Sequence, residues 1–305
     1  MGHADDYSKP LVYLKLTLMA VFWGGTFIAG RIAAKEVAPF SAAFLRFATA
    51  SLFLLFLTWK VEHGFPRVPR TVLIPLVLLG LSGVFAYNVF FFKGLQLIHA
   101  GRASLIIANN PVFIAFFASV FLHERLSRLK MAGIVLSLTG AVIVISRGRP
   151  EALLGGHFGW GECWIFCCVA SWVVYSIVGK AVMASLSPLT SVTYSVSVGT
   201  VALLLPATLE GLFSEVFNYS TAAWLSILFL GTFGTVLAFI WYYQGIRAIG
   251  PTKAGQFINL VPVSAVVLAY FILDEPISGS LLVGGIFVIL GVYLANITPG
   301  APEKQ

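Results

Sequence analysis

Charged side chains are scarce in this sequence. Lys, Arg, Asp and Glu make up 10% of its 305 residues, whereas a soluble domain carries about 25%. Hydrophobic residues make up 59% of the chain, and the mean hydropathy is +0.94. A surface this poor in charge cannot face water on all sides, which excludes an ordinary soluble protein. The sequence therefore predicts a protein whose main solvent is lipid.

Cysteines and catalytic motifs are also sparse. The three cysteines share one apolar stretch (Cys163, Cys167 and Cys168) and are interpreted as small buried hydrophobic residues, because an odd number on one helix builds no disulfide framework. The chain has no HExxH, GxxxxGK[ST] or GxSxG motif. No Lys/Arg run with interleaved aromatic residues indicates a nucleic-acid surface. We therefore expect no metal, no cofactor, no ATP hydrolysis, no enzymatic activity and no nucleic-acid partner.

An internal repeat is the strongest pattern in the chain. Residues 94–140 return 151 positions later as residues 245–291, and the Gly, Pro, Glu and Ser matches carry the weight because apolar matches arise by chance. Pro111 matches Pro262, and Glu124 matches Glu275. With a slightly shorter offset, Trp23 matches Trp172. Such periodicity predicts two copies of one structural unit.

Ten apolar segments follow the short polar N-terminus, and most approach the ~20 residues that a helix needs to cross a bilayer. They are Leu11–Ala34, Pro39–Trp59, Thr71–Phe92, Ala103–Leu122, Lys130–Ser146, Gly159–Gly179, Pro188–Leu209, Thr221–Tyr243, Ala254–Leu273 and Gly279–Ile297. The predicted domains are a first repeat over residues 11–146, a loop over 147–158 and a second repeat over 159–297. Lys and Arg are about twice as frequent in the loops on the N-terminal side of the membrane, so we expect both termini to be cytoplasmic.

Five crossings in each repeat force the second copy to traverse the membrane in the opposite sense to the first. Inverted repeats are typical of secondary transporters, whose substrate site lies between the repeats near the middle of the membrane. The predicted fold is therefore all-α, with ten transmembrane helices arranged as two inverted five-helix repeats around a central cavity.

Several intramembrane residues are candidates for that cavity. Pro111 and Pro262 should interrupt the fourth and ninth helices, and Asn110 and Asn259 stand close to these interruptions. The alternative interpretation of the two amides is hydrogen bonding between helices. A polar and aromatic set would complete the walls, and it comprises Tyr87, Asn88, Trp172, Tyr175 and Tyr243.

Arg46 is the most informative charge, because it lies about two turns into the second segment. It could bind a substrate carboxylate, but the matching residue of the second copy is Ser195, which favours the alternative of snorkelling or a structural partner. Glu124 and Glu275 end their segments and are interpreted as caps or loop contacts. No acidic residue lies clearly at mid-membrane, which favours facilitated diffusion or exchange over proton coupling. Gly24, Gly25, Pro111 and Pro262 are candidate hinges.

The residues that carry a family resemblance are short motifs. Phe22-Trp23-Gly24-Gly25-Thr26-Phe27 opens the unit, Phe44-Leu45-Arg46-Phe47 follows, and Leu122-His123-Glu124-Arg125-Leu126 closes it. Over residues 11–297 the chain resembles two EamA repeats of the drug/metabolite transporter superfamily, most like the YddG-type bacterial amino-acid exporters. The resemblance implies a ten-helix basket that moves small metabolites outward without ATP.

These observations predict a multi-pass secondary transporter of the bacterial inner membrane. The expected cargo is amino acids, including aromatic ones, and related metabolites, with membrane lipid as the surroundings. A carrier of the same fold for nucleotide-sugars, lipid head groups or cationic drugs is the alternative. An intramembrane enzyme or a scaffold is the alternative from another class, but the former needs a clustered nucleophile and base, and the latter a sizeable soluble domain.

Overall fold

A computed structural model describes residues 9–121, 127–149, 159–249 and 251–296. These residues form ten long helical elements, which we label α1 to α10 in chain order, besides a short helix at Leu212–Glu215 and a 3₁₀ turn at Arg70–Val72. The uninterrupted helices are α1 (Lys9–Ala33), α2 (Pro39–Val61), α5 (Arg128–Ile145), α6 (Trp160–Val182), α7 (Pro188–Leu209) and α10 (Gly279–Asn296). The composite elements are α3 (Leu73–Leu79, Gly80–Ala86, Tyr87–Leu97), α4 (Ala100–Ile107, Asn110–Phe121), α8 (Thr221–Gly231, Thr232–Leu237, Ala238–Ile249) and α9 (Pro251–Gln256, Phe257–Asn259, Leu260–Leu273).

Length and hydropathy suit these helices to a membrane. Within the described residues, nine helical stretches are long and apolar enough to cross a bilayer, and Gly279–Ala295 is a shorter apolar helix. Large apolar side chains cover their outer faces; Leu52, Ile74 and Phe271 are each more than 70% exposed. Such exposure suits lipid as the solvent. The protein is therefore an all-helical, multi-pass membrane protein, and a count of ten crossings stays a prediction.

The fifth helix of each repeat packs against its counterpart through glycines. A methyl group added to Gly140 would lie 2.6 Å from the carbonyl oxygen of Gly284, and one added to Gly133 would lie 2.6 Å from that of Gly291. Residue numbers rise along α5 while they fall along α10, so the two helices are antiparallel. Only glycine allows two backbones to approach this closely, as in small-residue helix contacts within membranes.

Hydroxyl groups join the second helices of the two repeats in the same antiparallel sense. Thr58 and Thr193 share a hydrogen bond of 2.7 Å, and Ser51 and Thr200 share one of 3.0 Å. The backbone N–H of Ser41 donates to the Glu210 carboxylate at 3.0 Å. Helices α2 and α7 are thus held together along their length by paired polar groups.

Contacts between matching positions of the two repeats indicate a two-fold relation between the halves of the bundle. Ser51 and Thr200 are equivalent positions of the repeats and contact each other. Ser137 is likewise equivalent to Val288 and donates a hydrogen bond to its carbonyl oxygen. The first helix of each repeat packs on the third and fourth helices of the other repeat. Helix α1 contacts α8 and α9, and its equivalent α6 contacts α3 and α4. An axis perpendicular to membrane-spanning helices makes equivalent helices antiparallel, which is the geometry of inverted repeats.

Four helices depart from α-helical geometry at equivalent places. Helices α3 and α8 each contain a π-helical turn, at Gly80–Ala86 and Thr232–Leu237. Helix α4 is broken between Ile107 and Asn110, and α9 passes through a 3₁₀ turn at Phe257–Asn259. The interruptions of α4 and α9 lie within a few residues before Pro111 and Pro262, respectively. π-turns and interrupted membrane helices mark places where backbone polar groups face a partner or a cavity.

Candidate functional site

A cavity of about 900 Å³ lies in the centre of the bundle. Each of the ten helical elements contributes at least one residue to its walls. The cavity is therefore enclosed jointly by the two halves, as expected of a site shared between inverted repeats.

Aromatic rings from three helices form a continuous wall of the cavity. The Trp172 ring stacks on Tyr175 with centroids 5.0 Å apart and contacts Tyr87 at 5.4 Å. Tyr87 in turn stacks on Phe91 at 6.1 Å, and Phe91 contacts Phe27 at 5.4 Å. All five residues line the cavity. Extended ring surfaces of this kind offer an apolar or aromatic solute a large contact area.

Trp23 also lines the cavity, and it is the residue of the first repeat that matches Trp172 of the second. Its ring lies 5.5 Å from both Phe239 and Tyr242, and its indole N–H donates to the carbonyl oxygen of Gly234 at 3.1 Å. Sequence reasoning did not select Trp23, although its match to Trp172 in the repeat was the signal that could have found it.

The π-turns of α3 and α8 contact the facing helices through equivalent glycines. A methyl group on Gly83 would overlap the Tyr175 ring, and one on Gly234 would lie 2.5 Å from the methyl group of Thr26. Gly83 and Gly234 match in the repeat, as do Thr26 and Tyr175. A side chain at either glycine would displace the cavity wall, which explains the recurrence of glycine at both positions.

Arg46 connects the two repeats at the cavity surface. One terminal nitrogen donates to Oδ1 of Asn88 at 3.0 Å, and the other donates to Oγ1 of Thr235 at 3.4 Å. Asn88 donates to the backbone carbonyls of Gly83 and Val84 in the α3 π-turn, at 3.3 and 3.0 Å, while Thr235 belongs to the α8 π-turn. The guanidinium therefore ties together the two irregular turns.

The broken helices present amide groups to the cavity. Asn110, Pro111, Asn259 and Pro262 all line it, and Asn110 is 8% exposed with a buried Oδ1 that has no hydrogen-bond partner. Pro111 and Pro262 have no N–H to donate to the carbonyl four residues earlier, which explains the preceding breaks. The neighbouring Asn109 instead bonds to Ser137 at 2.7 Å and is a structural contact between α4 and α5.

The structure brings together most of the residues selected from the sequence. Seven of the eight predicted binding residues line the cavity, namely Arg46, Tyr87, Asn88, Asn110, Trp172, Tyr175 and Asn259. The side chain of Tyr243 lies outside the described part of the structure. Gly24 faces Ser264 and Ala265 of α9, and Gly25 faces Phe229 of α8. These two glycines allow close packing of an uninterrupted α1, and their hinge role stays a prediction.

Ser191 was missed by sequence reasoning. It is 3% exposed, lines the cavity from α7, and its hydroxyl oxygen has no hydrogen-bond partner. Serines are frequent in this chain, and nothing in the local pattern distinguishes Ser191 from the others.

The two ends of the bundle differ. Lys130, Met183 and Ala295 line the cavity near the start of α5 and the ends of α6 and α10. At the opposite end, the Glu275 carboxylate accepts hydrogen bonds from the backbone N–H groups of Ala100 and Gly101, and Arg102 forms a 2.9 Å ion pair with Glu162. These contacts close that end, so the cavity extends toward the other.

The residues that line the cavity are suited to binding a small molecule. Its described lining contains two cations, Arg46 and Lys130, and no Asp or Glu. Among the described residues, no group of three His, Cys, Asp or Glu side chains is placed to hold a metal ion. The cavity combines aromatic surface, a few amide and hydroxyl groups and positive charge, which suits a small amphipathic molecule.

Similar proteins are transporters by name. The chain is 28% identical to an uncharacterized transporter, YyaM, of Bacillus subtilis, with 93% of both chains covered. It is 30% identical to an uncharacterized transporter of Archaeoglobus fulgidus, covering 93% of this chain and 96% of that protein. It is also 30% identical to a probable terminal-alkyne amino-acid exporter of Streptantibioticus cattleyicolor, with 92% of both chains covered.

The chain also matches a solved structure and a family sequence model. One solved structure superposes with a TM-score of 0.62 at 19% identity, covering 94% of this chain and 98% of that one. The sequence model of the EamA-like transporter family matches the chain twice, at residues 11–146 and 159–297. Since these two matches span most of the sequence, the protein belongs to the EamA-like transporter family.

Proposed function

We propose that this protein exports amino acids, including aromatic ones, and related small metabolites across the bacterial inner membrane by alternating access. The observation that carries the proposal is the composition of the central cavity. An aromatic wall and a cationic guanidinium face the same enclosed space between two inverted repeats. These are the groups that an amino acid with an aromatic side chain needs.

Each part of such a cargo has a counterpart in the cavity. The substrate ring stacks on Trp172 and Tyr175, and its carboxylate approaches Arg46. Asn110 lines the same cavity, and its Oδ1 is buried without a hydrogen-bond partner, so a rotation of the side chain would present this oxygen to the α-ammonium group. A volume of about 900 Å³ exceeds that of a single amino acid, which favours broad specificity.

Symmetry supports the transport mechanism. In this conformation the cavity extends toward the end that holds Lys130, and the contacts of Glu275 and Arg102 close the other end. Because the repeats are equivalent, exchanging their conformations would close the first end and open the second. With both termini cytoplasmic, as the Lys and Arg distribution predicts, the described conformation is open to the cytoplasm.

The driving force follows from what the cavity contains. Proton-coupled carriers generally need a carboxylate or histidine that is accessible within the membrane. The described cavity lining has neither. We therefore propose facilitated diffusion or exchange down the cargo gradient, in agreement with the sequence-based expectation. The name of the Streptantibioticus relative, a probable exporter of one amino acid, supports the choice of cargo class.

A counterflow assay tests this function. Proteoliposomes preloaded with unlabelled L-phenylalanine should accumulate labelled L-phenylalanine with or without a pH gradient. Asn110→Leu and Asn259→Leu should reduce the initial rate several-fold, whereas Asn218→Leu, in an exposed loop, should not. Accumulation of a nucleotide-sugar or a cationic drug instead, with no amino acid in a panel exchanged, would refute the proposed cargo.

A further inference from the structure

Arg46 and Arg102 both lie within the helical bundle, and their surroundings differ. Arg102 has an acidic partner, the carboxylate of Glu162 at 2.9 Å. Arg46 bonds to the neutral Oδ1 of Asn88 and Oγ1 of Thr235, its guanidinium lies 5.1 Å from the centroid of the Phe47 ring, and its buried Nε has no partner. Within the described residues, Arg46 therefore has no carboxylate within ion-pair distance.

In the absence of a bound molecule, a guanidinium without a carboxylate partner is unfavourable in free energy. Arg46 is partly buried at the cavity wall, and partial removal of a guanidinium from water is unfavourable unless an opposite charge and hydrogen bonds compensate it. Neutral acceptors compensate in part, because a hydrogen bond from a charged donor is stronger than one between neutral groups. A carboxylate on a bound molecule would supply the missing negative charge and could accept two parallel N–H donors from the planar guanidinium.

The described part of the cavity lining has no equivalent arrangement for a positive group on the cargo. The acceptors near the cavity surface are neutral, among them Oδ1 of Asn110 and the hydroxyl of Ser191, both without a hydrogen-bond partner. The described lining has no acid, and Lys130 adds a second positive charge. An ammonium group would thus gain neutral hydrogen bonds or contact with a ring face, and it would be repelled by two cations.

We propose that the cavity selects its cargo by the carboxylate and does not require the ammonium group. This inference rests on the proposed transport function and narrows it, because it predicts that aromatic monocarboxylates without an amino group share the site with amino acids. The residue that determines this selectivity is Arg46, and the ring is accommodated by Trp172 and Tyr175. Aromatic amines and amino-acid amides are rejected.

Two analogues of phenylalanine, each lacking one charged group, test the proposal directly. 3-Phenylpropanoate lacks the ammonium, and 2-phenylethylamine lacks the carboxylate. In L-phenylalanine counterflow with the wild-type protein at pH 7.5, 3-phenylpropanoate should compete within roughly tenfold of phenylalanine itself. 2-Phenylethylamine should be weaker by a further 10- to 100-fold, roughly the value of a charge-assisted hydrogen bond. Protein-free liposomes control for leakage of the analogues.

Substitution of Arg46 provides the second arm. Arg46→Gln should abolish the preference for the carboxylate, so that both analogues compete equally, while Arg46→Lys should retain the preference in weakened form. If Arg46→Gln does not fold, the wild-type comparison still decides the question. Equal or stronger competition by 2-phenylethylamine in the wild type would overturn the inference.

The design separates this inference from the proposed function. Suppose that 2-phenylethylamine inhibits phenylalanine counterflow and 3-phenylpropanoate does not. Amino-acid transport would then be supported, and the proposed selection by the carboxylate, which we call the charge rule, would be refuted. If no amino acid of the panel is exchanged, the transport proposal fails, and selection by the carboxylate is then tested by thermal stabilisation of the purified protein. Stabilisation by 3-phenylpropanoate alone would support the rule, whereas stabilisation by the amine or by neither analogue would refute it.

Discussion

The carboxylate of Glu275 caps the first half of α4, accepting hydrogen bonds from the backbone N–H of Ala100 at 2.8 Å and of Gly101 at 3.1 Å. Glu275 belongs to the second repeat and Ala100 to the first, so the contact joins the halves of the molecule at the closed end. Free N–H groups and the positive end of the helix dipole both favour a carboxylate there. Capping by Glu275 confirms the role that the sequence indicated.

Removing this cap should destabilise the closed end. Glu275→Ala leaves two buried N–H groups without an acceptor, and we expect a loss of about 1–2 kcal/mol in the free energy of unfolding. Thermal denaturation of the purified protein in detergent measures it. Asp274→Asn is a matched control, because Asp274 is exposed and has a φ of 53°, a conformation that Asn tolerates well. Equal effects of the two substitutions would contradict the capping role.

Close packing of α5 on α10 makes a second prediction. A side chain at Gly140 meets the backbone of α10, with the carbonyl oxygen of Gly284 only 2.6 Å from the added carbon. Backbone cannot move aside as a flexible side chain can, so Gly140→Ala should separate the helices and cost about 1–3 kcal/mol. Gly279→Ala is the control, since nothing lies within 4 Å of its added carbon. An unchanged melting temperature for Gly140→Ala would show that the helices are farther apart than described.

The fold was largely predictable because its decisive signals are local or periodic. Hydrophobic segments mark the helices, and the recurrence of Gly133 and Gly140 as Gly284 and Gly291 identifies the surfaces that meet. Helix ends were less accurate. Helix α4 begins at Ala100 rather than at the expected Ala103, because its cap comes from a residue distant in sequence, and α3 extends beyond Phe92 to Leu97.

The site was predictable by residue type but not by contact. Asn88, Asn110 and Trp172 were selected because polar and aromatic groups at membrane depth need partners, and all three line the cavity. The bonds from Arg46 to Asn88 and Thr235 depend on how three helices pack, for which one sequence carries no signal. The π-turns were also missed, because one extra residue in a turn leaves the apolar pattern almost unchanged.

Hydroxyl pairing between α2 and α7 makes a third prediction. Thr58 and Thr193 are each fully buried and bond to each other at 2.7 Å. A double-mutant cycle with Thr58→Val and Thr193→Val should give a coupling free energy of about 0.6 kcal/mol, the mean for such bonds in membranes. Thr139→Val is the control, because its exposed hydroxyl bonds to a carbonyl of its own helix. Additive effects of Thr58→Val and Thr193→Val would indicate that the pair contributes no interaction of its own.

Equivalent loops of the two repeats should lie on opposite faces of the membrane. The α2–α3 loop contacts the start of α7 through Glu62 and Ser187, whereas the α7–α8 loop contacts the α1–α2 loop through Ser220 and Glu36 at 2.9 Å. In a background without the three native cysteines, an impermeant maleimide applied to spheroplasts should label Asn218→Cys at once, and should label His63→Cys only after permeabilisation. Both positions are exposed, so access depends on the membrane alone. Labelling of both from one face would exclude inverted repeats, and the reverse pattern would place the open end of the cavity outside the cell.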